Sequence, residues 1–118
     1  MTLGELAAEL GATVVTPEAD LSRWVERVFA GDRMSDVLNH ASSTTLVVTN
    51  LATPQLVRAA ALMDACGVCL LNGVSPGDAV VETAAAGGIA LIVSLFDMFE
   101  TCGRLYQCLC SRTQALAK

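Results

Sequence analysis

The sequence predicts an α/β fold in which helices cover both faces of a mainly parallel sheet. Apolar segments of strand length alternate with helical patterns along the chain, and the connections between them are short. The strands are continuously apolar, which is typical of strands buried on both faces, and alternating strands and helices favour right-handed crossovers between parallel neighbours. We therefore expect residues 1–118 to form one α/β domain, with buried strands near residues 25–29, 46–49, 68–71 and 89–93.

The beginning of the chain is predicted to form a helix and a short strand. Thr2 and Glu5 have the spacing of a capping box, and Gly11 ends the apolar helical pattern that follows. Residues 13–16 predict a short strand. Residues 24–30 predict a longer strand with apolar side chains on both of its faces.

Four later helices are predicted to begin directly after strands. Each follows a polar residue that is expected to cap its first turn, namely Asp32, Thr53, Ser75 or Ser94. The helices are expected near residues 34–40, 54–65, 76–86 and 95–109. In the last of them, Glu100 and Arg104 have the spacing of an exposed ion pair.

The composition excludes several classes of protein. Twelve acidic residues outnumber seven basic ones, and the basic residues are scattered, whereas nucleic-acid binding needs clustered positive charge. No apolar run is long enough to cross a membrane, and the first residues do not resemble a signal peptide, so a cytoplasmic location is expected.

Hydrophobic residues make up 53% of the chain and charged residues only 16%. A domain with so apolar a composition often hides part of its surface against a partner, so a homodimer is predicted.

The cysteines are predicted to be reduced and metal-free. An odd number of cysteines, five, argues against a disulfide framework. Cys66 and Cys69 form a Cys-x-x-Cys motif, but it follows a helix and enters a strand, whereas a reactive pair lies at a helix N-terminus. A structural zinc site would need a second pair of suitable spacing. The sequence identifies no cofactor.

No catalytic constellation is apparent. The only histidine, His40, is expected on the surface near a helix end, and the sequence contains no nucleophile elbow, P-loop or dinucleotide fingerprint. Asp32 and Asp36 are four residues apart, which allows a metal or acid–base site. A capping role for Asp32 and a solvated first turn for Asp36 explain the same spacing, so a domain without catalysis is favoured.

Four motifs carry a resemblance to a known family: GDxxSDVL at 31–38, LVVT at 46–49, LNGxxP at 71–76 and FExxGRLY at 99–106. In this order they resemble the DRTGG domain family, and the likeness extends over residues 6–106. The last two motifs are similar to those of stand-alone members that accompany iron-only hydrogenase gene clusters.

The resemblance implies a cytosolic α/β domain similar to the N-terminal domain of HPr kinase. It also implies a regulatory role, because relatives accompany CBS domains or phosphate acetyltransferases, and it supplies no catalytic residues. This sequence has Leu71-Asn72-Gly73 in place of the family's Thr-Gly-Gly, which leaves the identity of the ligand open.

A ligand site is expected at the carboxyl ends of the parallel strands, where α/β proteins bind ligands. The residues predicted to contact the ligand are Gly31, Asp32, Thr49, Asn50, Asn72, Gly73 and Ser94. Helix N-termini and glycine backbones there favour a small anionic or nucleotide-like molecule. Because Asp32 and Asp36 would repel an anion, a ligand with hydroxyls or an amine is the other possibility. The competing hypotheses are a transferase-like enzyme that uses this edge and a purely structural dimerisation domain.

Overall fold

The computed structural model describes residues 1–16 and 19–117, with side chains up to residue 110. The helices are α1 (Leu3–Leu10), α2 (Met34–His40), α3 (Pro54–Leu62), α4 (Asp78–Gly87) and α5 (Met98–Ala117). The strands are β1 (Thr13–Val14), β2 (Arg27–Ala30), β3 (Thr45–Thr49), β4 (Gly67–Leu70) and β5 (Leu91–Val93). They form one sheet in the order β1-β5-β4-β3-β2.

The sheet is mixed, which corrects the prediction of a mainly parallel sheet. Strands β2 to β5 run parallel, with Val47 opposite Val68 and Cys69 opposite Ile92. Strand β1 pairs antiparallel with β5, which places Thr13 opposite Val93. A crossover helix precedes each of β3, β4 and β5 and fixes its direction relative to the strand before it. No strand precedes β1 in the described chain, so no crossover constrains β1 at the edge.

The central strands are buried as predicted, but β2 is not. Every residue of β3, β4 and β5 is buried, whereas the edge strand β2 has exposed residues at both ends and half-buried residues between them. The predicted strand over residues 24–30 is also too long. Trp24 forms only an isolated bridge with Thr2, and it is 48% exposed.

Helices cover both faces of the sheet, as predicted. Helices α2, α3 and α4 pack on one face, and α1 and α5 pack on the other. The first face contributes Val47, Val68, Leu70, Leu91 and Val93, and the second contributes Leu46, Val48, Cys69 and Ile92. None of the helices in the described chain combines the length and the apolarity needed to cross a membrane.

The predicted caps of α1 and α3 are confirmed. The Thr2 hydroxyl accepts from the Glu5 amide at 3.2 Å, and the Glu5 carboxylate accepts from the Thr2 amide at 2.9 Å. Thr53 accepts from the amide of Leu56 at 3.2 Å. Helix α3 ends at Leu62, three residues earlier than predicted.

The predicted caps of α4 and α5 are wrong. Helix α4 begins at Asp78, and its cap position is Gly77, which makes no side-chain hydrogen bond. Ser75 lies in the preceding loop and not at the helix start. Glycine is a poor helix former, and the extended backbone of Gly77 delays the start of α4. For α5, Asp97 accepts from the Glu100 amide at 2.9 Å in the position expected for Ser94.

Candidate functional site

The carboxyl ends of β2, β3 and β4 bring three exposed polar side chains together. Asn50 donates from Nδ2 to Asp32 Oδ2 at 3.3 Å, and Asn72 donates from Nδ2 to Asn50 Oδ1 at 3.3 Å. We call this arrangement the polar chain. It joins three loops that the sequence predicted to meet at one edge of the sheet.

Asp32 anchors the polar chain, and it does not cap α2 as the sequence predicted. Its Oδ1 accepts from the Asn50 amide at 2.7 Å and from the buried Thr49 hydroxyl at 3.0 Å. The cap position of α2 is Arg33, without a side-chain bond, because the Asp32 carboxylate turns towards β3 instead. Thr49 in turn accepts from the Leu51 amide at 3.0 Å, so it holds both the carboxylate and the loop.

The hydrogen bonds at Asp32 favour its ionised form. Partial burial raises the pKa of Asp32, but the bonds from the Asn50 amide, the Asn50 side chain and Thr49 together lower it below its ordinary value of 3.8. The polar chain therefore carries a negative charge at neutral pH.

The turn after β4 has two successive residues in left-handed backbone conformation. Asn72 has a φ of 58° and Gly73 a φ of 61°. Asparagine and glycine tolerate this region better than other residues do. The turn allows the Asn72 amide to donate to Phe96 O at 2.9 Å and the Gly73 amide to donate to Ser94 O at 2.8 Å.

Backbone amides at the predicted site are engaged within the protein. Besides the two amides of this turn, those of Gly31, Asn50 and Ser94 donate to Val48 O, Asp32 Oδ1 and Leu70 O. From the sequence, these positions were expected to offer amides to an anion. At these five positions that role is already filled, so a ligand would meet side chains instead.

Ser94 lies beneath the edge. Its side chain is fully buried, and its hydroxyl shares a 2.8 Å hydrogen bond with Thr101 and accepts from the Phe96 amide at 3.1 Å. The structure therefore brings Asp32, Asn50 and Asn72 together at the surface, with Thr49 as buried support, and assigns Ser94 to the joint between β5 and α5.

An apolar groove beside Gly73 is the feature that sequence reasoning missed. Its volume is about 420 Å³. Its lining consists of Thr13, Val15, Gly73, Val74, Ser75, Pro76, Val81, Val93 and Leu95. The groove exists because β1 lies against β5, which no local pattern predicts. The sequence predicted Leu95 within the last helix, but that helix begins at Met98, and Leu95 lies in the preceding loop with 70% of its surface exposed.

The paired-carboxylate interpretation loses its geometric basis. Because α2 begins at Met34, Asp32 lies outside the helix, and the spacing of four no longer places it on one helical face with Asp36.

His40 is exposed at the end of α2, and its ring stacks on Phe29 with the centroids 5.5 Å apart. No group of three potential metal ligands is found among the described residues.

The Cys-x-x-Cys motif lies in the core. Both cysteines are buried: Cys66 directly precedes β4, and Cys69 lies within it. Burial raises the pKa of Cys66 to about 11 and that of Cys69 to about 12. Both thiols are therefore protonated at neutral pH, the opposite of a reactive pair.

Comparisons with known proteins agree with this architecture. The family model described as DRTGG domain matches residues 5–108. A crystal structure of the CBS and DRTGG domains of the regulatory region of Clostridium perfringens pyrophosphatase, complexed with the activator diadenosine tetraphosphate, is similar with a TM-score of 0.68. The match covers 90% of this chain and 46% of that chain, less than half of its length, at 12% sequence identity, so the likeness is one of fold. No curated protein matches the chain.

Proposed function

The chain belongs to the DRTGG domain family, and from that premise we propose that it is a regulatory domain that binds a small ligand and catalyses no reaction. The structural neighbour supports this proposal, because its DRTGG domain is part of a regulatory region complexed with a nucleotide activator. The observation that carries the proposal is the polar chain, since it lies at the edge of the sheet where α/β proteins bind ligands.

The chemistry of the polar chain favours a ligand with hydroxyl groups. Asp32 contributes a carboxylate acceptor, and Asn50 and Asn72 contribute amide donors and acceptors. The engaged backbone amides and the charge of Asp32 disfavour a bare phosphate. Carboxylates bind ribose hydroxyls in dinucleotide-binding folds, so a nucleotide-like ligand would place its sugar here.

The proposal for the domain's role in the cell rests on the resemblance of its motifs to those of its relatives. We propose that it is cytoplasmic, similar to the N-terminal domain of HPr kinase, and that it serves a hydrogenase or another redox system. The motifs at 71–76 and 99–106 support this assignment, since they resemble those of hydrogenase-associated relatives.

Thermal-shift and calorimetric titrations test whether the protein binds a nucleotide-like ligand. The probes are adenosine, AMP, ATP and diadenosine tetraphosphate, with inorganic phosphate as the anion control. We expect nucleosides or nucleotides to raise the melting temperature, because a ligand that binds only the folded state stabilises it. Phosphate alone is expected to have no effect.

Two variants assign the site. Asn72→Gly removes a side chain of the polar chain and keeps the left-handed turn, and Thr49→Val removes the support of Asp32. Both are expected to weaken binding, whereas the control Asn39→Ala alters an exposed asparagine of α2 outside the site. A ligand whose affinity neither site variant changes would place the site elsewhere. If no probe binds, the structural dimerisation hypothesis is favoured, and turnover of a probe would support the enzyme hypothesis.

A further inference from the structure

Helix α5 exposes two aromatic side chains on the face turned away from the sheet. Phe99 is 89% exposed and Tyr106 is 70% exposed. Gly103 lies between them on the same face, at the i, i+4, i+7 spacing of a helical contact stripe. Apart from the adjoining residues and backbone of α5 itself, no atom lies within 4 Å of the position that a β-carbon of Gly103 would occupy. The stripe is thus aromatic at both ends and open in the middle.

A half-exposed ion pair flanks the stripe. Arg104 donates from Nε and from a terminal nitrogen to Glu100 Oε2, at 2.9 and 2.7 Å. The Arg104 guanidinium also stacks over the Phe96 ring, 4.0 Å from its centroid. The negative member of the pair is nearer the start of the helix, and the positive member lies one turn later.

We propose that this stripe is the contact surface for a second copy of the chain, whose α5 runs antiparallel to the first. A two-fold axis near residues 102–103 places Phe99 opposite Tyr106 of the partner subunit. The pairing of Glu100 with Arg104 of the partner subunit centres on residue 102, half a residue from the centre of the aromatic pairing. That offset is about 0.75 Å along the helix, which the long Glu100 and Arg104 side chains can span, so one isologous arrangement accommodates both pairings.

Gly103 explains how the two helices approach. It lies beside the axis, where its missing side chain allows the backbones to come close and the flanking aromatic rings to pack over the crossing. Two exposed aromatic side chains supply roughly 300 Å² per copy, more than a third of the roughly 800 Å² that each partner of a standard interface contributes. The proposal does not depend on the ligand proposed above.

Analytical ultracentrifugation of the full chain tests the proposal. We expect a dimer at tens of micromolar, and Phe99→Ser is expected to weaken dimerisation at least about tenfold, as for a buried aromatic anchor. Gly103→Gln is expected to weaken the dimer as well. Because glycine is a poor helix former, the same change should raise the melting temperature of the monomer. The control Leu62→Ser alters a 77% exposed side chain of α3 and is expected to change nothing.

A charge exchange tests the register. Glu100→Arg and Arg104→Glu each place like charges opposite one another in a homodimer, so each variant alone is expected to dimerise weakly. In a mixture, opposite charges face each other again, and the heterodimer is expected to form. A monomeric wild type would overturn the proposal, and so would a dimer that withstands Phe99→Ser and Gly103→Gln. Charge variants that dimerise no better when mixed would refute the antiparallel register.

Discussion

The left-handed turn at Asn72 allows its role in stability to be separated from its role in binding. We expect Asn72→Leu to destabilise the fold by roughly 1–2 kcal/mol, because leucine lacks the short polar side chain that lets asparagine adopt left-handed backbone. The lost hydrogen bond to Asn50 adds little, about 0.5 kcal/mol, since it is 3.3 Å long and exposed. The total expected loss is therefore about 2 kcal/mol.

Asn72→Gly is the matched variant. It loses the same hydrogen bond but adopts the left-handed conformation without strain, so its free energy of unfolding should lie within about 1 kcal/mol of the wild type. Urea denaturation of all three proteins, with the slopes compared, measures the difference. If the leucine variant were as stable as the glycine variant, the backbone argument would be wrong. Both variants lack the asparagine amide, so both are expected to bind ligand weakly.

Three further predictions concern the core, the thiols and the charge of the site. Gly67→Ala would place a β-carbon 2.9 Å from a methyl group of the buried Leu3, and we expect a loss of about 1–3 kcal/mol by urea denaturation; an unchanged midpoint would show that Leu3 can move aside. Cys66 and Cys69 should react with a thiol reagent only as fast as the protein unfolds, and protein purified without oxygen should contain no stoichiometric zinc or iron; fast labelling or bound metal would contradict their assignment to the core. Because its folded pKa is lowered, ionised Asp32 stabilises the protein above pH 3.8, and this contribution is lost as the pH falls through the folded pKa; the stability advantage of the wild type over Asp32→Asn should shrink in acid, and a constant difference would refute the linkage.

The sequence predicted the central architecture because local chemistry determines it. Continuous apolar segments identified β3, β4 and β5, and the capping side chains of Thr2 and Thr53 marked the starts of two helices. The direction of β1 was not predictable, because a two-residue edge strand has no pattern of its own that orients it. The start of α4 was predicted too early. Ser75 and Pro76 are typical of a helix start, but the backbone of Gly77 after them is extended, and the helix begins at Asp78.

The candidate site was predicted by topology, and its chemistry was not. The rule that ligands bind at the carboxyl ends of parallel strands identified Asp32, Asn50 and Asn72, which the structure joins. The rule does not say which groups are already used. Asp32 bonds across to β3 instead of capping its own helix, and the Gly73 amide bonds to Ser94. Both are contacts between segments that are distant in sequence, which local patterns do not reveal.

The strand order also has a consequence for the order of folding. The face formed by α2, α3 and α4 is built from neighbouring segments of the chain, whereas the opposite face joins α1 and β1 to α5 and β5. Closing that second face requires residues about 80 positions apart to meet, and contacts of such separation form slowly. We expect β3, β4 and α3 to gain protection from hydrogen exchange first, and α1 and β1 to dock last. During synthesis, the apolar side of the sheet would stay uncovered until α5 leaves the ribosome.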